Sequence, residues 1–168
     1  LKTAAPVTRE SEEGCGFTAC AAYDEKNMYV AYDIKSFNDL INSQPDPSIL
    51  FKGGNCIDIQ IAADTSADPK RKTPAPGDVR ILVTRKPAPA PAGEKANKDA
   101  KAANPEPAPF AVVFRPRVKG FEGRPTVLTS PTGSESFDSI ETRDDILLEH
   151  KKTPSGFTAV VTIPLKLI

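Results

Sequence analysis

The chain has 168 residues, enough for one domain of ordinary size, and its 22 basic residues are balanced by 22 acidic ones. A net charge of zero provides no global basic field for nucleic acid, and no apolar run approaches the ~18 residues of a membrane-spanning helix. With one histidine, a zinc site with two or more imidazoles is excluded, and a Ser-His-Asp triad would need His150. The composition therefore points away from a self-contained enzyme, from nucleic-acid binding and from membrane insertion.

The first half of the chain contains short strand-like runs separated by polar turns. Residues 16–23 and 28–34 flank a polar four-residue turn and predict a hairpin, and a short edge strand is expected near Val7. Residues 37–54 are expected to be irregular because Pro45 and Pro47 interrupt regular structure. The clearest alternation lies in 56–61, where three isoleucines share one face and Cys56, Asp58 and Gln60 share the other.

The second half begins with a strand over 79–84, which the sequence predicts to have an apolar face on one side only. Residues 86–109 follow; they are rich in alanine, proline and lysine and contain no Leu, Ile, Val or Phe. We interpret them as a flexible insert in a hairpin that is closed by the strand 110–114, with a domain boundary as the alternative. Further predictions are the strands 126–129, 137–142, 146–150 and 157–163, and a single helical turn over 164–168.

Many short strands and no amphipathic helix of ordinary length predict an all-β fold. We expect one domain over residues 1–168: an antiparallel two-sheet β-sandwich of the immunoglobulin or jelly-roll type, with one long low-complexity loop.

Four segments carry a resemblance to a known family. They are YDEKNMYVAY at 23–32, GNCIDIQI at 54–61, PGDVRI at 76–81 and GFTAVVTIPL at 156–165. Together they resemble the family 9 carbohydrate-binding modules and their DOMON-like relatives, over residues 17–168 without the insert. The resemblance implies an antiparallel β-sandwich that binds a polysaccharide or an oligosaccharide.

The resemblance also implies a role and a set of ligand-binding residues. Asp58 matches the strand acid that hydrogen-bonds the sugar, and Arg80 on the next strand matches a second polar contact. The family's paired tryptophans have no counterpart, so Phe51 or Tyr29 is the expected stacking ring. The implied function is a non-catalytic accessory module of a larger exported bacterial protein, extracellular or periplasmic, whose partners include other domains of the parent chain and which acts in carbohydrate catabolism.

Several alternatives remain open at the level of sequence. A structural or interaction module would keep the sandwich without binding sugar, and a haem-binding DOMON-type electron carrier would use Met28 and His150, although His150 is expected to be exposed near a turn. The sequence contains no Gly-x-Ser-x-Gly, P-loop or Gly-x-Gly-x-x-Gly motif, and nothing singles out a pair of carboxylates for glycoside hydrolysis.

The sequence leaves the metal content and the cysteine pairing undecided. No cofactor is expected. Family members often hold a structural calcium, however, and the acids that the chain offers for one are Asp24, Asp33, Asp39 and Asp46. One disulfide would suit an exported protein. It would join Cys20 either to Cys15, through a turn at Gly16, or to Cys56, if their strands are neighbours.

Overall fold

A computed structural model describes residues 1–87, 106–131 and 133–168 of the chain. Its regular structure is almost entirely β. The strands are β1 (Lys2–Thr3), β2 (Val7–Glu10), β3 (Gly16–Tyr23), β4 (Asn27–Lys35), β5 (Ile57–Ala62), β6 (Asp78–Lys86), β7 (Ala108–Arg115), β8 (Thr126–Ser130), β9 (Gly133–Phe137), β10 (Ser139–Thr142), β11 (Leu147–Thr153) and β12 (Gly156–Pro164). Two 3₁₀ helices complete it, Pro47–Lys52 and Leu165–Leu167. The second of these confirms the predicted helical turn at the end of the sequence.

The strands form two packed antiparallel sheets and one separate hairpin. In the first sheet β1 and β2 share one edge of β3, which is followed by β4, β12 and β11; the second sheet has the order β10-β7-β6-β5. The hairpin consists of β8 and β9. Neither sheet closes into a barrel, so the predicted all-β, antiparallel sandwich-like fold is confirmed.

The face of β5 that carries the isoleucines packs into the core between the two sheets. Ile57 and Ile59 are buried there against residues of β6, β7 and β12. Asp58 and Gln60 point away from this core, as the alternation predicted. Strand β12 closes the core from the other sheet with alternate buried residues from Phe157 to Ile163.

Gly156 explains why β12 begins with a glycine. Its φ is +157°, and a Cβ at this position would collide with the backbone carbonyl of Ile34 on the neighbouring β4. The close approach of β12 to β4 therefore requires the missing side chain. This gives a physical reason for the glycine that opens the last strand.

The prediction of a one-sided apolar face for residues 79–84 is wrong, because β6 is buried on both faces. Val79, Ile81 and Val83 belong to the core between the sheets, whereas Leu82 packs on the opposite face. That face carries a second group, called here the outer cluster, which consists of Leu50, Leu82, Val112, Phe114 and Phe137. The first 3₁₀ helix supplies Leu50 and the β8–β9 hairpin supplies Phe137, so segments distant in sequence cover the second sheet from outside.

Two predicted boundaries change in the structure. The strand predicted over 137–142 is two strands, since Phe137 ends β9 and pairs with Thr126, while β10 starts at Ser139 and pairs with β7. The antiparallel pairing of β6 with β7 supports the predicted hairpin and reaches Lys86 opposite Ala108. The ends of the predicted insert thus belong to the ladder, and its residues 88–105 lie outside the described part of the chain.

None of the three cysteines forms a disulfide. Cys15 precedes Gly16, which opens the continuous strand β3, so the turn needed to bring Cys15 to Cys20 is absent. Cys20 lies on β3 of the first sheet, whereas Cys56 immediately precedes β5 of the second, and the Sγ of Cys20 donates to the carbonyl of Ala4 at 3.3 Å. Both pairings considered from the sequence are therefore wrong.

Candidate functional site

Asp58 and Arg80 meet on the outer face of the second sheet. Asp58 on β5 lies opposite Leu82, and Arg80 lies opposite Gln60, so the two side chains are diagonal neighbours on one face. The Nε of Arg80 is 3.1 Å from both carboxylate oxygens of Asp58, and its Nη2 is 2.7 Å from Oδ2. The structure thus brings together two residues that are 22 positions apart, in a planar two-point contact.

Two further side chains complete this group. Arg80 Nη1 lies 3.3 Å from Oε2 of Glu135 on β9. The guanidinium carbon of Arg80 lies 5.9 Å from the centre of the Phe51 ring, within the range of a cation–π contact. The sequence indicates Phe51 but not Glu135, which follows Arg80 by 55 residues and lies in no pattern that marks it. We call Phe51, Asp58, Arg80 and Glu135 the Arg80 site.

The position of Phe51 follows from the local sequence of the first 3₁₀ helix. Asp46 caps that helix, its Oδ1 accepting from the Ser48 amide at 2.9 Å and from the Ser48 hydroxyl at 2.8 Å. These bonds lower the pKa of Asp46. Leu50 anchors the helix in the outer cluster, and the next residue, Phe51, is left 38% exposed beside Arg80.

The charges of the Arg80 site are partly buried and mutually compensated. The side chains of Arg80 and Asp58 are 24% and 33% exposed. Burial of Arg80 disfavours its charge, but the hydrogen bonds that it donates to Asp58, together with the negative charges of Asp58 and Glu135, outweigh burial and raise the pKa of Arg80. The Arg80 guanidinium is therefore a permanent donor group. Burial also raises the pKa of the Cys56 thiol, which adjoins the site, and the nearby Asp58 raises it further.

An open cleft of about 330 Å³ lies beside the site. Phe51 and Arg80 form one side, and the β8–β9 hairpin forms the other with Leu128, Ser134 and Glu135. The cleft thus combines an aromatic ring, a short aliphatic wall, hydroxyl groups and charged hydrogen-bonding groups. Such a combination of apolar surface with a few placed polar groups is typical of small-ligand sites.

Tyr29 does not belong to this site, so its grouping with Asp58 and Arg80 is corrected. The inward residues of β4 include Val30 and Tyr32, and Tyr29 alternates to the outer face of the first sheet. There its hydroxyl donates to Oδ2 of Asp24 at 2.8 Å. Tyr29 and Tyr32 lie on opposite faces of β4, as their spacing of three requires, and the outward Tyr29 belongs to the sheet that does not form the cleft.

A second polar group, called here the Asp39 cluster, closes one end of the core between the sheets. It consists of Asp39, Arg85, His150 and Lys152. Arg85 Nη1 lies 3.0 Å from His150 Nδ1 and 3.6 Å from Asp39 Oδ2. Since a guanidinium only donates, Nδ1 accepts and the ring proton is on Nε2. Lys152 Nζ lies 3.0 Å from the same Asp39 oxygen.

His150 is 7% exposed, so the expectation that it would be exposed near a turn is wrong. It points inward from the edge strand β11, and its ring lies 5.1 Å from that of Phe157. The Nε2 atom is 2.8 Å from Asp39 Oδ1 but out of line for a hydrogen bond. Partial burial acts to raise the pKa of Asp39, but the hydrogen bonds that Asp39 accepts from Lys152 and from the Leu40 amide contribute to lowering it overall.

The candidate residues for metal or haem are engaged elsewhere. Met28 packs against the core and pairs with Ile163, whereas His150 pairs with Ala159 four positions away, roughly 13 Å along β12. With both ring nitrogens of His150 facing Arg85 and Asp39, these two residues do not fit an axial haem pair. In the part of the chain that the structure describes, no three His, Cys, Asp or Glu side chains form a group suited to a metal ion.

The comparisons with known proteins add no relative: no protein-family model, curated protein or solved structure matches the chain. The resemblance to the family 9 carbohydrate-binding modules therefore stays a prediction from the sequence. Over residues 1–87, 106–131 and 133–168, no helix has both the length and the apolar character required to span a bilayer.

Proposed function

We propose that the protein is a non-catalytic carbohydrate-binding module that uses the Arg80 site. One observation carries the proposal: Arg80, which is paired with Asp58, lines an open cleft together with the Phe51 ring. Carboxylate and guanidinium groups are suited to bonding adjacent hydroxyls, while an aromatic ring offers a flat apolar surface to a pyranose.

In this proposal each residue has a distinct task. Asp58 accepts hydrogen bonds from sugar hydroxyls, and Arg80, held in position by Asp58 and Glu135, donates to sugar oxygens. Phe51 stacks on the ring. Binding is expected to be weak, because a shallow site with one aromatic wall buries little area. The resemblance supports the further proposal that the module belongs to a larger exported protein, extracellular or periplasmic, that acts on polysaccharides.

The experiment compares Asp58→Ala with the original protein in isothermal titration against neutral cello- and xylo-oligosaccharides. We expect the variant to bind at least tenfold more weakly, since a charge-assisted hydrogen bond contributes about 1.5–3 kcal/mol. Glu149→Ala removes an exposed acid from the other sheet and is the matched control. Circular dichroism must show that both variants stay folded. Equal affinity in all three proteins would disprove the proposal.

A second candidate is a structural or interaction module without sugar affinity. It is favoured by the fact that Arg80 already contacts two carboxylates within the chain. For such a module, no oligosaccharide binds to the original protein, and Asp58→Ala lowers the free energy of unfolding without any effect on ligand binding.

A further inference from the structure

The Arg80 site continues into a second cleft on the other side of the arginine. This second cleft has a volume of about 570 Å³ and shares Arg80, Ser134 and Glu135 with the first. Its remaining polar wall comes from Gln60, Lys72, Asp78, Arg117 and Ser136. The two clefts therefore form one groove, crossed by the Arg80–Glu135 contact. Each cleft alone has the size of a small-ligand site, which is on the order of 300–1,000 Å³.

The two halves of the groove differ in their free charge. In the half beyond Arg80, both acids already have cationic partners: Asp78 forms an ion pair with Arg71, and Glu135 shares Arg80 with Asp58. The ammonium group of Lys72 is exposed and has no ion-pair partner within the described part of the chain. This half therefore offers an ammonium group that no carboxylate of the described residues engages.

Arg117 adds donors to the same half of the groove. Its side chain is 47% exposed, and its nearest acid, Asp138, lies 3.7 Å away. Asp138 also accepts from the Val118 amide at 2.8 Å. The guanidinium uses Nη1 for Ser136 and the Pro116 carbonyl, so Nη2 and Nε have no bond within the described residues. A guanidinium with free planar donors is suited to a carboxylate or a sulfate group.

We infer that the groove takes an anionic oligosaccharide of at least two sugar units. One unit lies in the cleft beside Phe51, and the next unit places a carboxylate or a sulfate ester between Lys72 and Arg117. This inference rests on the proposed function, because it uses the Arg80 site as the anchor of the first unit. It extends that function in two ways. It assigns the class of ligand, and it places the oligosaccharide along the groove from Phe51 towards Lys72 and Arg117.

The test titrates oligogalacturonates, sulfated galactan oligosaccharides and neutral cello-oligosaccharides of one to four units. The variants are Lys72→Ala, Arg117→Ala and their combination. Lys70→Ala is the control, because Lys70 is exposed in the same loop but does not line the groove. Each single variant, Lys72→Ala or Arg117→Ala, is expected to lower the affinity for the anionic probes about twofold to fivefold, since exposed charge pairs are individually weak. The double variant should lose about tenfold or more for the anionic probes alone.

The outcomes separate this inference from the proposed function. Support requires that affinity rises from one unit to two, that added salt weakens only the anionic probes, and that the double variant lowers their affinity but not that of the neutral ones. The carboxylated and sulfated arms show which anion is preferred. Neutral oligosaccharides that bind through Asp58 as tightly as the anionic ones would overturn this inference alone. A failure of every probe to bind would overturn both.

Discussion

Asp39 joins residues of both sheets at one end of the sandwich. Its carboxylate faces Arg85 and His150, which reach it from different sheets, and Lys152 approaches it from β11. A carboxylate in this position offsets the buried charge of Arg85, whose other acidic neighbour, Glu106, is more distant at 3.8 Å and 94% exposed. The acid therefore links the two sheets through electrostatics rather than through apolar packing.

Asp39→Asn is expected to lower the free energy of unfolding by about 1–3 kcal/mol at neutral pH, since it removes the charge that compensates Arg85 and Lys152. The measurement is urea unfolding, with Asp33→Asn as a control, because Asp33 is an exposed acid on the outer face of β4.

The same comparison predicts a pH dependence. The pKa of Asp39 is lowered in the folded chain from its ordinary value of 3.8. The stabilisation is thus fully present above about pH 4 and is lost as the pH falls through the folded-state pKa. The difference between the original protein and Asp39→Asn should shrink below pH 4. A difference that stays constant from pH 7 to pH 3 would contradict this account.

At the scale of the element, the β8–β9 hairpin is both a cover for the second sheet and a wall of the groove. Phe137 packs against Phe114 with ring centres 5.2 Å apart in an edge-to-face arrangement. Glu135, two residues earlier on the same strand, reaches Arg80. The packing of one hairpin residue therefore positions another that contacts the site.

Phe137→Ala should cost about 3–5 kcal/mol of unfolding free energy, because it leaves a cavity in the outer cluster. Val127→Ala on the paired strand is the control. Val127 is 58% exposed, so this substitution is expected to change the free energy of unfolding by no more than about 0.5 kcal/mol. Denaturant unfolding of both variants gives the two values. Similar small losses would mean that the hairpin does not pack on the sheet in solution.

For the whole molecule, the strands are joined by connections of very different length. The connection within the β6–β7 hairpin, residues 87–107, is one of the two longest. Its anchors are at the ends: Arg85 Nε donates to the Pro107 carbonyl at 3.3 Å, and Lys86 Nζ contacts the Gln44 carbonyl. These contacts lie outside residues 88–105, so a shorter connection can retain them.

Replacement of residues 88–105 by Asn-Gly is therefore expected to change the free energy of unfolding by no more than about 1 kcal/mol, since the closure entropy of a loop varies slowly with its length. Thermal and urea unfolding of the shortened chain test this. If the shortened protein lost several kcal/mol, the segment would have to make contacts that its composition does not predict.

The sequence determined the strands and their inward faces because alternation is a local property of the chain. The isoleucines of β5, the hairpin of β3 and β4 and the final strand beginning at Gly156 follow from neighbouring residues and from the period of a strand. The same alternation placed Asp58 on the face away from the core. The Asp58–Arg80 pair was predictable because β5 and β6 are consecutive strands of one antiparallel pair.

Only the tertiary structure decided what covers each face and which distant residues meet. The outer cluster, which buries the second face of β6, depends on a 3₁₀ helix and a hairpin that fold onto it from elsewhere in the chain. Glu135 joins Arg80, and His150 joins Arg85 and Asp39, across sequence separations that no local pattern encodes. Tyr29 fell outside the groove for the same reason, because strand alternation fixes a residue's face, whereas the sheet that carries it is set by long-range pairing.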